Sequence, residues 1–268
     1  CLQIDAGAEN ATVSNAFDVL PDFIDDFGDA PMAPKSGLPG GYPTLLPDGA
    51  RHLAVGPMLG VARDAEADGQ PSPGAFGDDT NQTPNDEDGV DFLNSTIWAS
   101  ARMNNTTASV QVDLRNADAA SNRLDAWIDL NRDGDWDDPG EKIFDNFDLG
   151  TSDGVQTLGF TIPRDTGDNI EPGDTYARFR ISTAGGLAPT GPAADGEVED
   201  HAIHLSTFEP PPGDVNLDNV VDQADAKVLA AHWGMSGVAW AEGDFNDDGV
   251  VNAADAAILA AHWGATVS

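Results

Sequence analysis

The sequence predicts a mainly β protein, an antiparallel β-sandwich domain followed by a small α-helical module built on acidic loops. Short segments with alternating apolar and polar residues are spread over residues 90–205, with turn residues between them and no convincing helix. A Pro-rich linker, residues 208–213, comes next. Beyond it, one pattern of acidic residues and a short apolar run occurs twice, 30 residues apart.

The chain before the linker divides into an arm and one domain. Residues 1–24 hold two potential strands and are predicted to form an arm that could donate a strand to a neighbour. Residues 25–207 form the sandwich domain, whose first part, 25–90, is rich in Gly, Pro and Asp and is predicted to be irregular. The main strands are expected at 108–114, 124–130, 155–162, 175–181 and 198–205.

An acidic loop follows the second of these expected strands. Oxygen-bearing side chains alternate along it at Asp129, Asn131, Asp133 and Asp135, and Glu141 can close the shell as a bidentate ligand. Calcium is a hard cation that takes six to eight oxygens, so a calcium site is predicted here, with a solvated acidic turn as the alternative. Glu141 falls one place later than the twelve-residue scheme requires.

The repeated module, residues 214–268, contains two twelve-residue loops with calcium-ligand spacing. Such loops supply oxygens from positions 1, 3, 5, 7, 9 and 12. In the first copy the ligands are Asp214, Asn216, Asp218, the Val220 carbonyl, Asp222 and Asp225. In the second copy they are Asp244, Asn246, Asp248, the Val250 carbonyl, Asn252 and Asp255. Val221 and Val251, at position 8, are expected to pair across the two loops.

Each loop is predicted to run into a short helix. Asp222 and Asn252 are good N-caps, and Gly234 and Gly264 end the apolar helical pattern. Helices this short are marginal alone, so metal and mutual packing must hold them.

A histidine and a tryptophan occupy equivalent places at the end of each predicted helix. His232 and His262 are expected to pack or to cap the helix ends, with a shared metal site as the alternative. Trp233 and Trp263 are predicted to be core or interface anchors, and a recognition face if they are exposed together.

Residues 213–264 resemble a type I dockerin, a module of paired F-hand repeats. The resemblance rests on the ligands, their spacing, the duplication and the ending Leu-Ala-Ala-His-Trp-Gly in both copies. The resemblance implies that the module binds a cohesin domain on another protein. Loop positions 10 and 11, where partner choice is usually set, are Gln223-Ala224 and Ala253-Ala254 rather than a hydroxyl pair. Self-assembly and docking within the chain therefore stay open.

Residues 25–205 resemble the GEVED domain, named for a motif present here as Gly196-Glu197-Val198-Glu199-Asp200. Matching pieces include 26–31, 42–46, 64–69 and 86–90. The resemblance implies a β-rich module of secreted bacterial proteins without assigned catalysis.

The acidic pieces of this domain are expected to meet in space and to hold at least one further calcium. Arg51 is the competing partner, since a bidentate salt bridge could neutralise part of such a cluster. The carboxylates concerned are Asp64, Glu66, Asp68, Asp86, Asp88, Glu197 and Glu199.

Composition restricts the partners. The 268 residues include 47 Asp and Glu against 12 Lys and Arg, and the formal net charge is −35. This charge excludes nucleic acid as a natural partner, because phosphate binding needs a basic surface. No run of about 18 apolar residues is present, so no transmembrane segment is predicted.

The single cysteine and the calcium loops bear on location. Cys1 is the only cysteine, so no internal disulfide is expected. A chain that begins with cysteine resembles a processed bacterial lipoprotein, in which that residue carries a lipid anchor; the alternative is a fragment boundary. Weak calcium modules suit millimolar extracellular calcium, which predicts an extracellular or bacterial cell-surface location.

No catalytic constellation is visible in the sequence. It lacks a Gly-x-Ser-x-Gly elbow, a His-Glu-x-x-His pair and a phosphate-cradling loop, so the protein is predicted not to be an enzyme. The favoured hypothesis is a calcium-stabilised structural protein that self-assembles into a filament, sheath or surface layer through its arm or its repeated module. The alternative is an accessory or carbohydrate-binding component recruited to a scaffold by dockerin–cohesin binding.

Overall fold

The computed structural model describes residues 25–33, 36–77, 86–93, 96–100, 106–165, 169–208 and 210–266. The predicted N-terminal arm and Cys1 lie outside the described residues, so the donor strand and the lipid anchor stay predictions. Within the described ranges, no helix is both long enough and apolar enough to cross a lipid bilayer.

Strands dominate the fold and both α-helices lie in the C-terminal module, which confirms the predicted fold class. The strands are β1 (Asp25–Phe27), β2 (Arg51–Leu53), β3 (Met58–Leu59), β4 (Val90–Phe92), β5 (Thr96–Ser100), β6 (Thr106–Arg115), β7 (Arg123–Ile128), β8 (Lys142–Asp148), β9 (Gly154–Ile162), β10 (Gly173–Ser182), β11 (Pro192–Ala193) and β12 (Glu197–Phe208). The helices are α1 (Gln223–Ala231) and α2 (Ala253–Ala261).

Two sheets enclose the main apolar core. One has the order β5-β12-β10-β7-β8; in the other, β6 pairs with β9, β3 and β4. Side chains from both sheets, among them Val112 and Leu114 on β6 and Phe179 and Ile181 on β10, form the core. The sandwich is antiparallel except at one edge, where β5 runs parallel to β12, a pairing that the antiparallel prediction did not include.

Strand β10 is buried on both faces because the irregular part of the domain covers its outer side. A small sheet of β1, β2 and β11 belongs to that covering layer. Arg180 on β10 is fully buried, and its Nε donates a hydrogen bond to His52 Nε2 at 2.9 Å. Burial, with the charge of Arg180, holds the pKa of His52 well below its usual value, so the ring stays neutral and can accept this bond.

The C-terminal module has a separate small core. Seven buried side chains form it: Val215, Val221, Leu229, Trp240, Phe245, Val251 and Leu259. An ion pair connects the module with the chain that follows β9, because Arg164 Nη1 lies 2.6 Å from Asp247 Oδ2.

Candidate calcium-binding loops

The three predicted loops close in the same way at their first turn. In each, a carboxylate oxygen of position 1 accepts the backbone N–H of position 6. The bonds are Asn219 N to Asp214 Oδ2 at 3.0 Å, Gly249 N to Asp244 Oδ2 at 2.7 Å and Gly134 N to Asp129 Oδ2 at 3.0 Å. The loop at 129–141 therefore begins like the two loops of the repeated module, although it lies inside the sandwich domain.

Two further turns repeat at positions 3 and 5. The side-chain oxygen of Asn216, Asn246 or Asn131 accepts the N–H of position 5 at 3.1 Å in all three loops. The carboxylate at position 5 then accepts the backbone N–H of position 7. This hydrogen bond is 2.9 Å long from Val220 and from Val250, and 3.2 Å long from Asp135. These side-chain turns fold the backbone around a series of oxygen atoms.

The loop backbone is left-handed at positions 4 and 6. Position 4 has φ near 60° at the non-glycine residues Leu217 (59°), Asp247 (61°) and Arg132 (59°). Position 6 has φ of 67° at Asn219, 79° at Gly249 and 97° at Gly134. A non-glycine residue holds this conformation at a cost of about 1–3 kcal/mol, and such strain concentrates at ligand-binding sites.

The closing acid has the same partners in all three loops. One of its oxygens accepts the backbone N–H of position 2. Asp225 accepts this bond from Val215 at 2.8 Å, and Glu141 accepts it from Leu130 at 2.9 Å. Asp255 accepts from Phe245 at 2.8 Å. The second oxygen accepts the N–H of the residue three places earlier, which is Asp222, Asn252 or Asp138.

These partners explain why Glu141 falls one place late. The loop at 129–141 has one extra residue after position 7, so Asp138 occupies the place of Asp222 and Asn252. A carboxylate oxygen of Asp138 lies within 4.8 Å of one from Asp133 and one from Asp135. Asp138 was not among the predicted ligands, because its position does not fit a count that starts at Asp129. Counting three residues back from Glu141 would have found it.

The carboxylates at the loop ends are buried. Asp214, Asp225, Asp255 and Asp129 are fully inaccessible, and Asp244 and Glu141 are nearly so. Asp214 Oδ1 is buried and accepts no hydrogen bond from any described residue. A buried carboxylate needs a counter-charge or a metal, and a set of hard oxygens fits calcium.

Comparison with protein families agrees with this geometry. Residues 212–263 match the family model of the Dockerin type I domain, and residues 123–204 match that of the GEVED domain. The chain carries a GEVED domain and a C-terminal type I dockerin. Type I dockerins bind calcium, so calcium is a cofactor of this protein. No curated protein matches the chain.

The dockerin helices begin and end as predicted. Asp222 and Asn252 cap α1 and α2, each in a full capping box with the acid three residues later. His232 Nδ1 donates to the Val228 carbonyl at 2.9 Å and His262 Nδ1 to the Ile258 carbonyl at 2.8 Å, which confirms that these histidines cap the helix ends.

Val221 and Val251, which were expected to pair across the two loops, share the dockerin core, whereas their backbone hydrogen bonds go to other residues. Val221 exchanges backbone hydrogen bonds with Gly264 and Ala265, and Val251 with Gly234 and Met235. Each dockerin loop therefore pairs with the end of the helix from the other repeat.

The tryptophans divide between core and surface. Trp127, Trp136 and Trp240 are buried, whereas Trp98 is half-exposed. Trp233 and Trp263, at equivalent ends of α1 and α2, expose 54% and 55% of their surface, so they are not core residues.

The pKa of Glu141 leads to a prediction for the loop at 129–141. Burial raises this pKa to about 8 and that of Asp129 to about 6. Below these pKa values the two carboxyl groups of the calcium-free loop carry protons, and calcium must displace these protons in order to bind. We expect calcium affinity at this loop to rise with pH until about pH 8.

Calcium titration by calorimetry between pH 6 and pH 8.5 checks this prediction. In Glu141→Gln, the loop should lose its calcium affinity and the part of the pH dependence that belongs to it. Asp137→Asn, a change at a neighbouring exposed acid, is the control and should leave both unchanged. The same pH profile in Glu141→Gln and in the unaltered chain would contradict the prediction.

Proposed function

We propose that this protein is a non-catalytic extracellular component that its dockerin attaches to a protein partner, with calcium holding the dockerin in its binding conformation. A type I dockerin implies a cohesin domain as the partner. The observation that carries the proposal is the equivalent exposure of Trp233 and Trp263, accompanied by Met235, which is 49% exposed. Large aromatic side chains are typical anchors of protein interfaces.

Calcium and the tryptophans are connected through the backbone. Gly234, next to Trp233, donates its N–H to the Val251 carbonyl of the second loop at 2.8 Å. Gly264, next to Trp263, donates to the Val221 carbonyl of the first loop at 2.8 Å. Each loop therefore positions the tryptophan of the other repeat, so loss of calcium from one loop should displace the opposite tryptophan.

We propose as ligands the three sets of oxygens that sequence analysis named, with Asp138 added to the loop at 129–141. The shared turns, the buried acids at both ends of each loop and the orphan Asp214 Oδ1 support this assignment. The role of calcium here is structural, because it neutralises buried carboxylates and stabilises the loop backbone.

Self-assembly of the protein through the same dockerin surface is the second candidate. Gln223, Ala253 and Ala254, at the loop positions that usually set partner choice, are exposed, and Ala224 is half-exposed. An exposed surface with alanines in place of hydroxyl groups favours a partner that presents an apolar patch. Another copy of this chain presents such a patch with its own exposed tryptophans.

Replacing both tryptophans should remove binding while the fold remains. Trp233→Ala with Trp263→Ala is expected to weaken binding to a cohesin at least 30-fold, since an interface anchor contributes about 2 kcal/mol or more. The measurement is calorimetry of the full chain against a panel of purified type I cohesin domains in calcium. Trp98→Ala removes an equally exposed tryptophan from the sandwich and is the matched control.

Three results would decide between the candidates. Cohesin binding that disappears with chelator and in the double variant supports recruitment. Calcium-dependent association of the chain with itself, measured by sedimentation velocity and lost in the double variant, supports self-assembly. Equal binding by the double variant and Trp98→Ala would exclude the proposed face.

A further inference from the structure

A second group of carboxylates lies in the sandwich domain, apart from the three loops. Asp26 on β1, Asp64 and Asp86 each place a carboxylate oxygen within 4.8 Å of the others. Glu66 and Glu197 are close enough for their charges to act on Asp26. Burial, followed by the charge of Asp26, raises the pKa of Glu66 to about 11. The chain therefore concentrates five acids in one place.

The predicted meeting of acidic pieces is correct in part. Asp26 belongs to the group although the prediction omitted it, whereas three predicted members have other roles. Asp68 accepts the Leu46 N–H at 2.7 Å, Asp88 accepts the Val61 N–H at 2.8 Å, and Glu199 accepts the Gly89 N–H at 2.8 Å. Arg51, the predicted competitor, lies 3.9 Å from Asp25 instead.

Two buried carboxylates in this group have an oxygen without a partner. Asp26 Oδ2 accepts the Val198 N–H at 2.8 Å, and Glu197 Oε2 accepts the Leu59 N–H. Asp26 Oδ1 and Glu197 Oε1 are buried and accept no hydrogen bond from the part of the chain that the structure describes. Both side chains are completely inaccessible to solvent. A buried oxygen of this kind is costly unless a cation or a proton lies beside it.

Arg63, whose charge acts on this group, does not donate a hydrogen bond to these oxygens. The charge of Arg63 acts on Asp26 and on Glu197. Its Nη1 donates instead to the carbonyls of Pro57 and Gly196, both at 3.1 Å. The orphan oxygens of Asp26 and Glu197 therefore gain no hydrogen bond from Arg63.

We propose that Asp26, Asp64 and Asp86 bind a calcium ion, with Glu66 and Glu197 at the margin of the site. The members come from β1, from the loop after β3, from the segment before β4 and from β12. The ion would thus fasten the irregular part of the domain to the sandwich. This site does not depend on the dockerin or on its partner.

The test compares two equivalent substitutions three residues apart. Asp26→Asn removes a charge and a ligand from the cluster. Asp29→Asn changes an equally buried aspartate, whose oxygens accept the N–H groups of Gln70 at 3.1 Å and Gly77 at 2.5 Å. Calcium ions per full chain are counted by native mass spectrometry after dialysis against calcium at neutral pH. We expect Asp26→Asn to bind one ion fewer than the unaltered chain and Asp29→Asn to bind the same number.

A second variant covers the case in which Asp26→Asn does not fold. Glu66→Gln changes the half-buried acid at the margin and should lower the affinity of one calcium ion by about tenfold or more in calorimetry. Equal ion counts for the unaltered chain and Asp26→Asn, with unchanged affinity in Glu66→Gln, would mean that protons neutralise the cluster and would overturn the proposal. Cohesin binding should be the same in all these variants, so the result is independent of the proposed function.

Discussion

Asp244→Ala is expected to remove calcium from the second dockerin loop and to unfold both α2 and the Trp233 end of α1. Asp244 accepts the backbone N–H groups of Asp248 at 3.2 Å and Gly249 at 2.7 Å, so it organises the loop as well as offering a ligand. A calcium ion present at 100 times its dissociation constant stabilises the folded state by about 2.7 kcal/mol. A domain with two nine-residue helices and seven buried apolar side chains has little other stability to replace it.

Amide hydrogen exchange in calcium measures this effect residue by residue. Protection should fall by two orders of magnitude or more across α2 and at Gly234 and Val251, whereas the strands of the sandwich should keep theirs. The control is Asp247→Ala, in the same loop at position 4, whose 60%-exposed side chain pairs with Arg164. Losing that surface pair should change stability by no more than about 1 kcal/mol. Equal loss of protection in both variants would show that calcium does not hold the loop.

The dockerin was predictable because its information is local. Ligand positions, N-caps and helix-ending glycines all lie within single stretches of about twenty residues, and the duplication repeats each of them. Exposure of Trp233 and Trp263 could not be predicted, because helical spacing does not show which face another element covers. The backbone partners of Val221 and Val251 could not be predicted for a related reason: they depend on how two repeats pack rather than on either loop.

The sandwich domain was predictable in its strands and less so in its long-range contacts. Alternating patterns located β6, β9, β10 and β12 to within a few residues. The acidic cluster joins residues as far apart as Asp26 and Glu197, and only the topology brings them together. Asp26 was overlooked because its neighbours in sequence do not resemble a metal loop.

The GEVED motif is best explained as a structural element. Gly196 has φ of 103°, and a Cβ there would lie 1.7 Å from the Ile181 carbonyl oxygen. Glu197 and Glu199 accept backbone N–H groups of Leu59 and Gly89, and Val198 is buried. The motif therefore holds the irregular part of the domain against β12, and Asp200 adds the hydrogen bond from Ala30 to these connections.

Asp200→Ala is expected to lower the free energy of unfolding by about 3–5 kcal/mol, because it leaves a buried guanidinium without its counter-charge. Arg178 and Asp200 are both completely buried, and two hydrogen bonds of 2.7 Å join them. Asp200 also accepts the Ala30 N–H at 2.7 Å, and the Arg178 guanidinium lies 4.5 Å from the ring centre of Trp136. Urea denaturation of the full chain in calcium, followed by tryptophan fluorescence, measures the loss.

Two further variants separate the charge from the packing. Arg178→Met combined with Asp200→Ala removes both charges, so it should be more stable than Asp200→Ala alone, since an unpaired buried charge costs more than a lost pair. Glu171→Ala breaks an exposed pair with Arg132, 3.6 Å apart, and should cost no more than about 1 kcal/mol. If the double variant were no more stable than Asp200→Ala alone, the lost hydrogen bond from Ala30 to Asp200, rather than the stranded charge of Arg178, would account for the instability.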